Sequence, residues 1–191
     1  LTHDERGYPA MNWKTQEALV HRIVDKIRLN ADRIVRYEET DVSSQALVPV
    51  VDRERVGLVG HSWGAYQTAF VVTQTDLFAA GVAGAPLTDL ISMYLSIYWN
   101  SGSTDARIFE ISQGRMEVPF WEDLEAYIDN SPLHSITELN TPLMIAFGDE
   151  DGAVDWDQGI ELYNAARRAG KDFVMLVYPG ENHSVRQKAN Q

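Results

Sequence analysis

Short apolar runs alternate with amphipathic segments from residue 55 onward. Four of these runs have the length of a buried strand and are bounded by polar or glycine-containing turns. They cover residues 55–60, 79–84, 142–147 and 173–178. Because strands that alternate with helices form parallel sheets, the pattern predicts an α/β fold in which helices cover both faces of a mostly parallel sheet.

Two helices are predicted between these strands, over residues 64–75 and 156–169. Asp155 and Gln158 suit the N-cap and the third position of the second helix, and Gly170 suits its carboxyl-terminal stop. In parallel sheets of this kind, functional residues gather at the carboxyl ends of the strands. Residues that directly follow a strand are therefore the first candidates for a site.

The remaining segments give weaker patterns. Residues 13–28 predict an amphipathic helix, because apolar residues recur there at spacings of three and four. Residues 37–54 indicate no particular element. Residues 87–140 form a helical and aromatic insert between the second and third strands, and its beginning, over 88–98, has a helical pattern.

The composition excludes several kinds of site. The chain of 191 residues has 16 Lys and Arg against 28 Asp and Glu, which gives a formal net charge of −12. This charge repels phosphate backbones and argues against nucleic acid as a partner. There are no cysteines, so disulfides and thiolate ligands are excluded. No apolar run reaches the roughly 18 residues of a membrane span. The histidines show no metal-ligand spacing, so neither a metal nor a cofactor is expected, and nothing indicates a compartment.

The candidate nucleophile lies in Gly60-His61-Ser62-Trp63-Gly64, which matches the pattern G-x-S-x-G. The motif stands between a predicted strand and a predicted helix, where a sharp turn makes the serine hydroxyl protrude. A serine becomes a nucleophile when a base removes its proton. The following helix points its first N–H groups at the same place, so the Trp63 N–H can stabilise an oxyanion. The alternative is a glycine-rich turn in which Ser62 is incidental.

An acid and a base follow in the order that α/β-hydrolases use, which is serine, acid, histidine. Asp149, Glu150 and Asp151 come directly after the third predicted strand, and His183 comes after the fourth. His183 would accept the Ser62 proton, and the acid would orient its imidazole. The three acidic residues compete for this role, and at least two of them belong to a solvated loop. The order predicts an α/β-hydrolase.

Longer stretches around these residues resemble the prolyl oligopeptidase family of serine peptidases. The resemblance covers about residues 52–185. The stretches that carry it are Gly60 to Thr68, Phe78 to Pro86, Asn130 to Leu133, Asn140 to Met144 and Tyr178 to His183. In this family the acid stands three residues after a glycine. The resemblance therefore implies Asp151 as the acid and Ser62, Asp151 and His183 as the triad.

The resemblance also implies a role for two tyrosines of the insert. In this family, tyrosines after the second of these strands line the pocket for the residue that precedes the scissile bond. Tyr94 and Tyr98 are the candidates, and their spacing of four would place them on one helix face. The alternative is that they pack in the core, since aromatic residues bury large areas in any case. Trp99, Phe120 and Trp121 are expected in a lid or in the core.

The chain departs from the family pattern in two places. Ala65 stands where the family usually has a second glycine, and its methyl group would crowd the packing of helix on strand. Only 61 residues precede Ser62, residues 1–51 resemble the family poorly, and no glycine-rich stretch supplies a second oxyanion donor. We therefore expect one hydrolase domain over residues 1–191 that is partial or has a divergent front. Family members carry a β-propeller, which is the expected partner domain of a full-length protein.

Three functions are compatible with these patterns. The first is a serine peptidase of the oligopeptidase or aminopeptidase type, which cleaves peptides through an acyl-enzyme. The second is a carboxylesterase with the same triad. The third is an interaction module with impaired catalysis, because loss of one oxyanion donor costs about 10²–10³ in rate. The exposed edges of a half sheet would then favour self-association.

Overall fold

The structure is a computed structural model that describes residues 55–190. The helix predicted over residues 13–28, and the divergent front over residues 1–51, lie outside the described residues. The strands are Gly57–His61 (β1), Ala80–Gly84 (β2), Ile97–Tyr98 (β3), Ser103–Thr104 (β4), Leu143–Gly148 (β5) and Phe173–Tyr178 (β6). The α-helices are Trp63–Gln74 (α1), Leu90–Tyr94 (α2), Ala106–Glu110 (α3), Leu124–Asp129 (α4) and Asp157–Arg168 (α5), and Pro132–Glu138 is a 3₁₀ segment.

Four strands form one parallel sheet in the order β1-β2-β5-β6, and β3 and β4 form a separate antiparallel pair. Each strand of the parallel sheet begins and ends within two residues of its predicted position. The carboxyl ends of β1, β5 and β6 lie at the same edge of the sheet, because parallel strands run in the same direction. The predicted convergence of the segments after these strands depends on this arrangement.

Helices α1 and α5 pack against the same face of this sheet. A Cβ atom at Gly81 of β2 would meet Val72 of α1, and one at Gly159 of α5 would meet Phe147 of β5. Gly81 pairs with Leu143, which lies on the same face as Phe147 because the two are four residues apart in one strand. The prediction of a parallel sheet with helices packed against it is confirmed.

The opposite face of the sheet is apolar. Val59, Val82, Met144 and Val174 lie side by side across the four strands. Val59 is 74% exposed and Val174 is 48% exposed. A second layer of helices on this face is not among residues 55–190.

The start of the insert differs from its prediction. The helix predicted over 88–98 is α2, which ends at Tyr94, and residues 97–104 form the β3–β4 hairpin instead. Gly102 has φ +74, and its amide donates to the Tyr98 carbonyl in the hairpin turn. A glycine adopts this left-handed conformation at little cost. The spacing of apolar residues, on which the helix prediction was based, contains no information about such a turn.

The two ends of α5 also differ in how well they were predicted. Trp156 occupies the N-cap, and the side chain of Asp155 contacts the Ser96 hydroxyl instead, so the predicted cap is wrong. Gly170 has φ +67 and follows the C-cap. The N–H of Gly170 donates to Arg167 and the N–H of Lys171 donates to Ala166, which is a Schellman motif. The predicted glycine stop is therefore confirmed.

Candidate active site

Ser62 occupies a sharp turn between β1 and α1. Its backbone has φ 58 and ψ −125, a conformation that few non-glycine residues adopt. A Cβ atom at Gly60 would lie 2.1 Å from the Gly64 carbonyl oxygen, so the turn requires glycine at position 60. At Gly64 a Cβ atom would meet nothing within 4 Å apart from its chain neighbours and the backbone of its own helix. A small residue is therefore required before the serine, at position 60, and not after it, at position 64.

The side chain of Ser62 makes no capping hydrogen bond to α1, although Ser62 is the N-cap residue. Its backbone N–H donates to the Gly84 carbonyl at 2.8 Å, which ties the turn to the end of β2. The N–H of Trp63 lies in the first turn of α1, where intrahelical acceptors do not exist. The methyl group of Ala65 is fully buried in the core, so the packing of α1 accommodates it. The hydroxyl of Ser62 is thus available to another partner.

That partner is His183. Its Nε2 atom lies 2.7 Å from Ser62 Oγ, and its Nδ1 atom lies 2.9 Å from Asp151 Oδ2. The three residues come from the segments after β1, β5 and β6. A histidine between a hydroxyl and a carboxylate can accept the hydroxyl proton while the carboxylate orients the ring. This arrangement has the chemistry of nucleophilic acyl transfer.

Asp151 is held more tightly than its two acidic neighbours. It is 6% exposed, and its Oδ1 atom accepts the N–H groups of Ala153 at 2.8 Å and Val154 at 3.0 Å. Asp149 and Glu150 are exposed, and the Asp149 carboxylate accepts the N–H of Gly180 instead. Of the three competing acids, the structure brings Asp151 to the imidazole.

Asn182 supports the histidine, although it is not among the site residues predicted from the sequence. Its Oδ1 atom accepts the N–H of His183 at 2.6 Å and the N–H of Gly152 at 3.2 Å. Its amide also exchanges hydrogen bonds with the side chain of Asn100 in the insert. Asn182 therefore joins the loop of the base, the loop of the acid and the insert. Its position beside His183 was the one available signal.

Glu181 fixes the other side of the histidine loop. It is 3% exposed and accepts the N–H groups of Arg186 and Gln187 and the side-chain amide of Asn190. The hydrogen bond from Arg186, together with that from Asn190, lowers the pKa of Glu181 below its usual value. The hydrogen bonds to the Glu181 carboxylate thus hold residues 186–190 against the histidine loop.

His61 is a second imidazole at the site. The centroids of the His61 and His183 rings are 4.9 Å apart. Burial lowers the pKa of His61, and repulsion from the His183 ring lowers it further. These two effects favour the neutral form of His61 beside the candidate base. The sequence motif places His61 directly before the serine. The distance between the His61 and His183 rings cannot be predicted from the motif, because it depends on how the strands of the sheet are arranged.

A pocket opens beside Ser62, and its walls come mainly from the insert and from the loop after β5. Its lining residues are Ser62, Trp63, Leu87, Met93, Tyr98, Asp105, Ile108, Phe109, Gln113, Ala153 and Val154. Tyr98 is one of the two tyrosines that the resemblance assigns to substrate binding, and Tyr94 is not part of this lining. The prediction that both share a helix face is wrong, because α2 ends at Tyr94 and Tyr98 belongs to β3.

Tyr94 lies in an aromatic cluster of the insert. It is 1% exposed, and the rings of Phe120, Trp121 and Tyr127 contact it edge to face at centroid distances of 5.3, 5.8 and 5.6 Å. Its hydroxyl donates to Glu110. These contacts favour the core-packing alternative for Tyr94. Trp99, by contrast, is 65% exposed.

Within residues 55–190, no group of three His, Cys, Asp or Glu side chains is arranged to hold a metal ion. No helix in this part of the chain has the length and apolar character needed to cross a membrane.

Several known proteins are similar to this chain in sequence. The model of the prolyl oligopeptidase family matches residues 42–191. The uncharacterized peptidase YuxL of Bacillus subtilis (strain 168) is 29% identical over 137 residues, which are 72% of this chain and 20% of YuxL. The acylamino-acid-releasing enzyme of Rattus norvegicus is 29% identical over 143 residues, which are 70% of this chain and 18% of that enzyme.

The fold of this chain is also similar to that of a solved structure. The crystal structure of puromycin hydrolase superposes with a TM-score of 0.62 at 26% identity, over 73% of this chain and 20% of that chain. The present chain thus spans about a fifth of the length of the relatives that it matches. The α/β-hydrolase fold expected from the sequence is confirmed.

Proposed function

Because the chain belongs to the prolyl oligopeptidase family, we propose that it cleaves peptide bonds as a serine peptidase, with Ser62, His183 and Asp151 as its catalytic triad. The observation that carries this proposal is the pair of contacts made by the imidazole. Nε2 of His183 is 2.7 Å from Ser62 Oγ, and Nδ1 is 2.9 Å from Asp151 Oδ2. A histidine held in this way can take a proton from the serine and return it to a leaving group.

The proposed reaction has two steps. Ser62 Oγ attacks the scissile carbonyl while His183 takes its proton, and the imidazolium then protonates the leaving amine, which leaves an acyl-serine. Water, deprotonated by His183, attacks the ester carbonyl, and the proton returns to Ser62 as the acyl group departs. In both steps the Trp63 N–H would donate to the developing oxyanion.

The proposed substrates are peptides processed near their ends, in the manner of an oligopeptidase or aminopeptidase. Two relatives are named for the release of acylamino acids and for dipeptidyl-peptidase activity, the acylamino-acid-releasing enzyme of Rattus norvegicus and the dipeptidyl-peptidase 5 of Porphyromonas gingivalis. In the present chain, the pocket beside Ser62 would receive the side chain on the acyl side of the bond, and Tyr98 would contribute to its wall. The β-propeller partner and self-association stay predictions.

Labelling of the full chain with a fluorophosphonate probe tests the nucleophile. We expect covalent labelling that maps to Ser62 and disappears in Ser62→Ala. Ser184→Ala is the matched control, because Ser184 is an exposed serine next to His183 and should leave labelling intact. A folded wild-type chain that resists the probe would contradict the proposal.

Hydrolysis of peptide anilides and of p-nitrophenyl esters by the same chain then separates peptidase from esterase activity. A peptidase should cleave both kinds of substrate through Ser62. Cleavage of the esters alone would support the carboxylesterase alternative.

A further inference from the structure

Asp105 is a buried carboxylate without a hydrogen-bond partner. It is 0% exposed, and neither of its side-chain oxygens has a partner among the described residues. Asp105 is the N-cap residue of α3, yet its side chain makes no capping bond. An unpaired buried polar group costs about 1–3 kcal/mol, and more if it is charged. A carboxylate in this position calls for a partner that the described residues do not supply.

The position of Asp105 indicates where such a partner would come from. Asp105 lines the same pocket as Ser62 and Trp63. The lining is mainly apolar, with Leu87, Met93 and Phe109 among its side chains, and it also includes Gln113. A group bound here would lie next to the scissile bond, because the pocket adjoins the nucleophile and the candidate oxyanion donor. Apolar walls with one carboxylate suit a side chain that has a methylene stem and a cationic end.

We propose that Asp105 makes this pocket selective for lysine or arginine at the residue whose carbonyl Ser62 attacks. This inference rests on the proposed function, which it deepens by naming the substrate class. A guanidinium or ammonium group would donate to the two oxygens that have no partner, and the methylene groups would contact the apolar wall.

The charges around Asp105 agree with a cationic ligand. Burial, together with repulsion from the Asp155 carboxylate, raises the pKa of Asp105 to about 7. A cation bound next to Asp105 would stabilise the ionised form and offset this repulsion. Asp155 itself accepts a hydrogen bond from Ser96, whose carbonyl accepts the backbone N–H of Asp105, so the two carboxylates are held near one another.

The test compares substrates that differ in charge at one position. The full chain would be assayed with acetyl-Ala-Xaa-aminomethylcoumarin, where Xaa is arginine, its neutral isostere citrulline, or norleucine. The acetyl group removes the free N-terminal ammonium. We expect kcat/KM for arginine to exceed that for citrulline by about 10- to 100-fold, the range for a hydrogen bond to a charged group. In Asp105→Asn this ratio should fall to about one, since the amide carries no charge.

The control is Asp172→Asn, which makes the same change at an exposed carboxylate and should keep the ratio of the wild type. Equal values of kcat/KM for arginine and citrulline in the wild type would overturn the inference. So would a preference that appears only in peptides with a free N-terminal ammonium. In either case Ser62-dependent cleavage of the norleucine substrate would leave the proposed function standing.

A binding measurement covers the case in which the chain cleaves none of these substrates. Calorimetric titration of Ser62→Ala with acetyl-Ala-Arg and acetyl-Ala-citrulline should show tighter binding of the arginine peptide. This difference should disappear in the double variant that also carries Asp105→Asn. Equal binding of the two peptides to Ser62→Ala would overturn the inference. A retained difference without any turnover would contradict the proposed function alone.

Discussion

The carboxylate of Asp151 contacts Nδ1 of His183 with both of its oxygens, Oδ1 at 3.0 Å and Oδ2 at 2.9 Å. The N–H groups of Ala153 and Val154 fix the same carboxylate from the other side. A carboxylate held in this way accepts the N–H of Nδ1 and leaves Nε2 as the nitrogen without a proton. The contact thus selects the tautomer that can take the proton of Ser62.

Asp151→Asn tests this selection. The amide can donate to Nδ1, which favours the opposite tautomer, so we expect kcat to fall by about 10⁴ while the fold is kept. Asp149→Asn is the matched control, because Asp149 is exposed and contacts Gly180 instead of the imidazole. Steady-state kinetics on both variants measure the effect. Equal kcat values in the two variants would remove Asp151 from the triad.

We expect Asn182 to hold the imidazole of His183 in position for catalysis. Asn182→Ala removes the acceptor for the N–H groups of His183 and Gly152, and a displacement of the imidazole by about 1 Å costs about 10² in rate. We expect a decrease in kcat of this size with a smaller change in KM. Asn100→Ala removes only the contacts of Asn182 with the insert and should have a weaker effect. A rise in KM at constant kcat would show that Asn182 serves substrate binding instead.

The parallel sheet could be predicted because its signals are local. The run 173–178 has the length of a strand, is rich in valine and aromatic residues and is followed by Pro179 and Gly180, and its predicted bounds match β6. The helical pattern over 88–98 failed because the turn at Gly102 pairs residues 97–98 with 103–104, and this pairing outweighs the local preference. Asp155 failed as a cap because Ser96, far away in the sequence, offers its side chain another partner.

The site was predictable to the extent that it lies at strand ends. Ser62, Asp151 and His183 each follow a strand of one parallel sheet, so topology alone brings them together. Asp105 follows a polar stretch, Ser101 to Thr104, which is typical of an exposed loop. Its burial results from the packing of the insert over the pocket, and no local pattern reports that packing. The same is true of the contact between His61 and His183.

The turn that carries Ser62 gives a prediction from two glycines. In Gly60→Ala the new methyl group would lie 2.1 Å from the Gly64 carbonyl oxygen, so the backbone must move, at a cost of about 1–3 kcal/mol. In Gly64→Ala the methyl group meets no described atom within 4 Å, and alanine is favoured over glycine within helices by about 0.5–1 kcal/mol. Urea unfolding should therefore show opposite signs for the two variants. Equal destabilisation of the two variants would mean that the contact at Gly60 does not constrain the turn that carries Ser62.

The free energy of unfolding should depend on pH through Asp105. The pKa of Asp105 is about 7 in the folded protein, against about 3.9 for an aspartate in an unfolded chain. Between these values the folded state keeps a proton that the unfolded state has released, so stability falls as the pH rises through this window. Asparagine does not titrate. Asp105→Asn should therefore gain stability relative to the wild type as the pH rises from about 4 to about 8.

The gain is expected to be about 1–3 kcal/mol at pH 8, the usual cost of a buried group without a partner. Urea unfolding at pH 4.5 and pH 8 measures it, and Asp172→Asn, at an exposed carboxylate, should show no such difference between the two pH values. A variant that is less stable than the wild type at pH 8 would mean that the Asp105 carboxylate is already paired in the free protein. Since a carboxylate that costs stability is retained where it serves binding, a gain at pH 8 together with a lost preference for arginine would assign Asp105 to substrate selection rather than to folding.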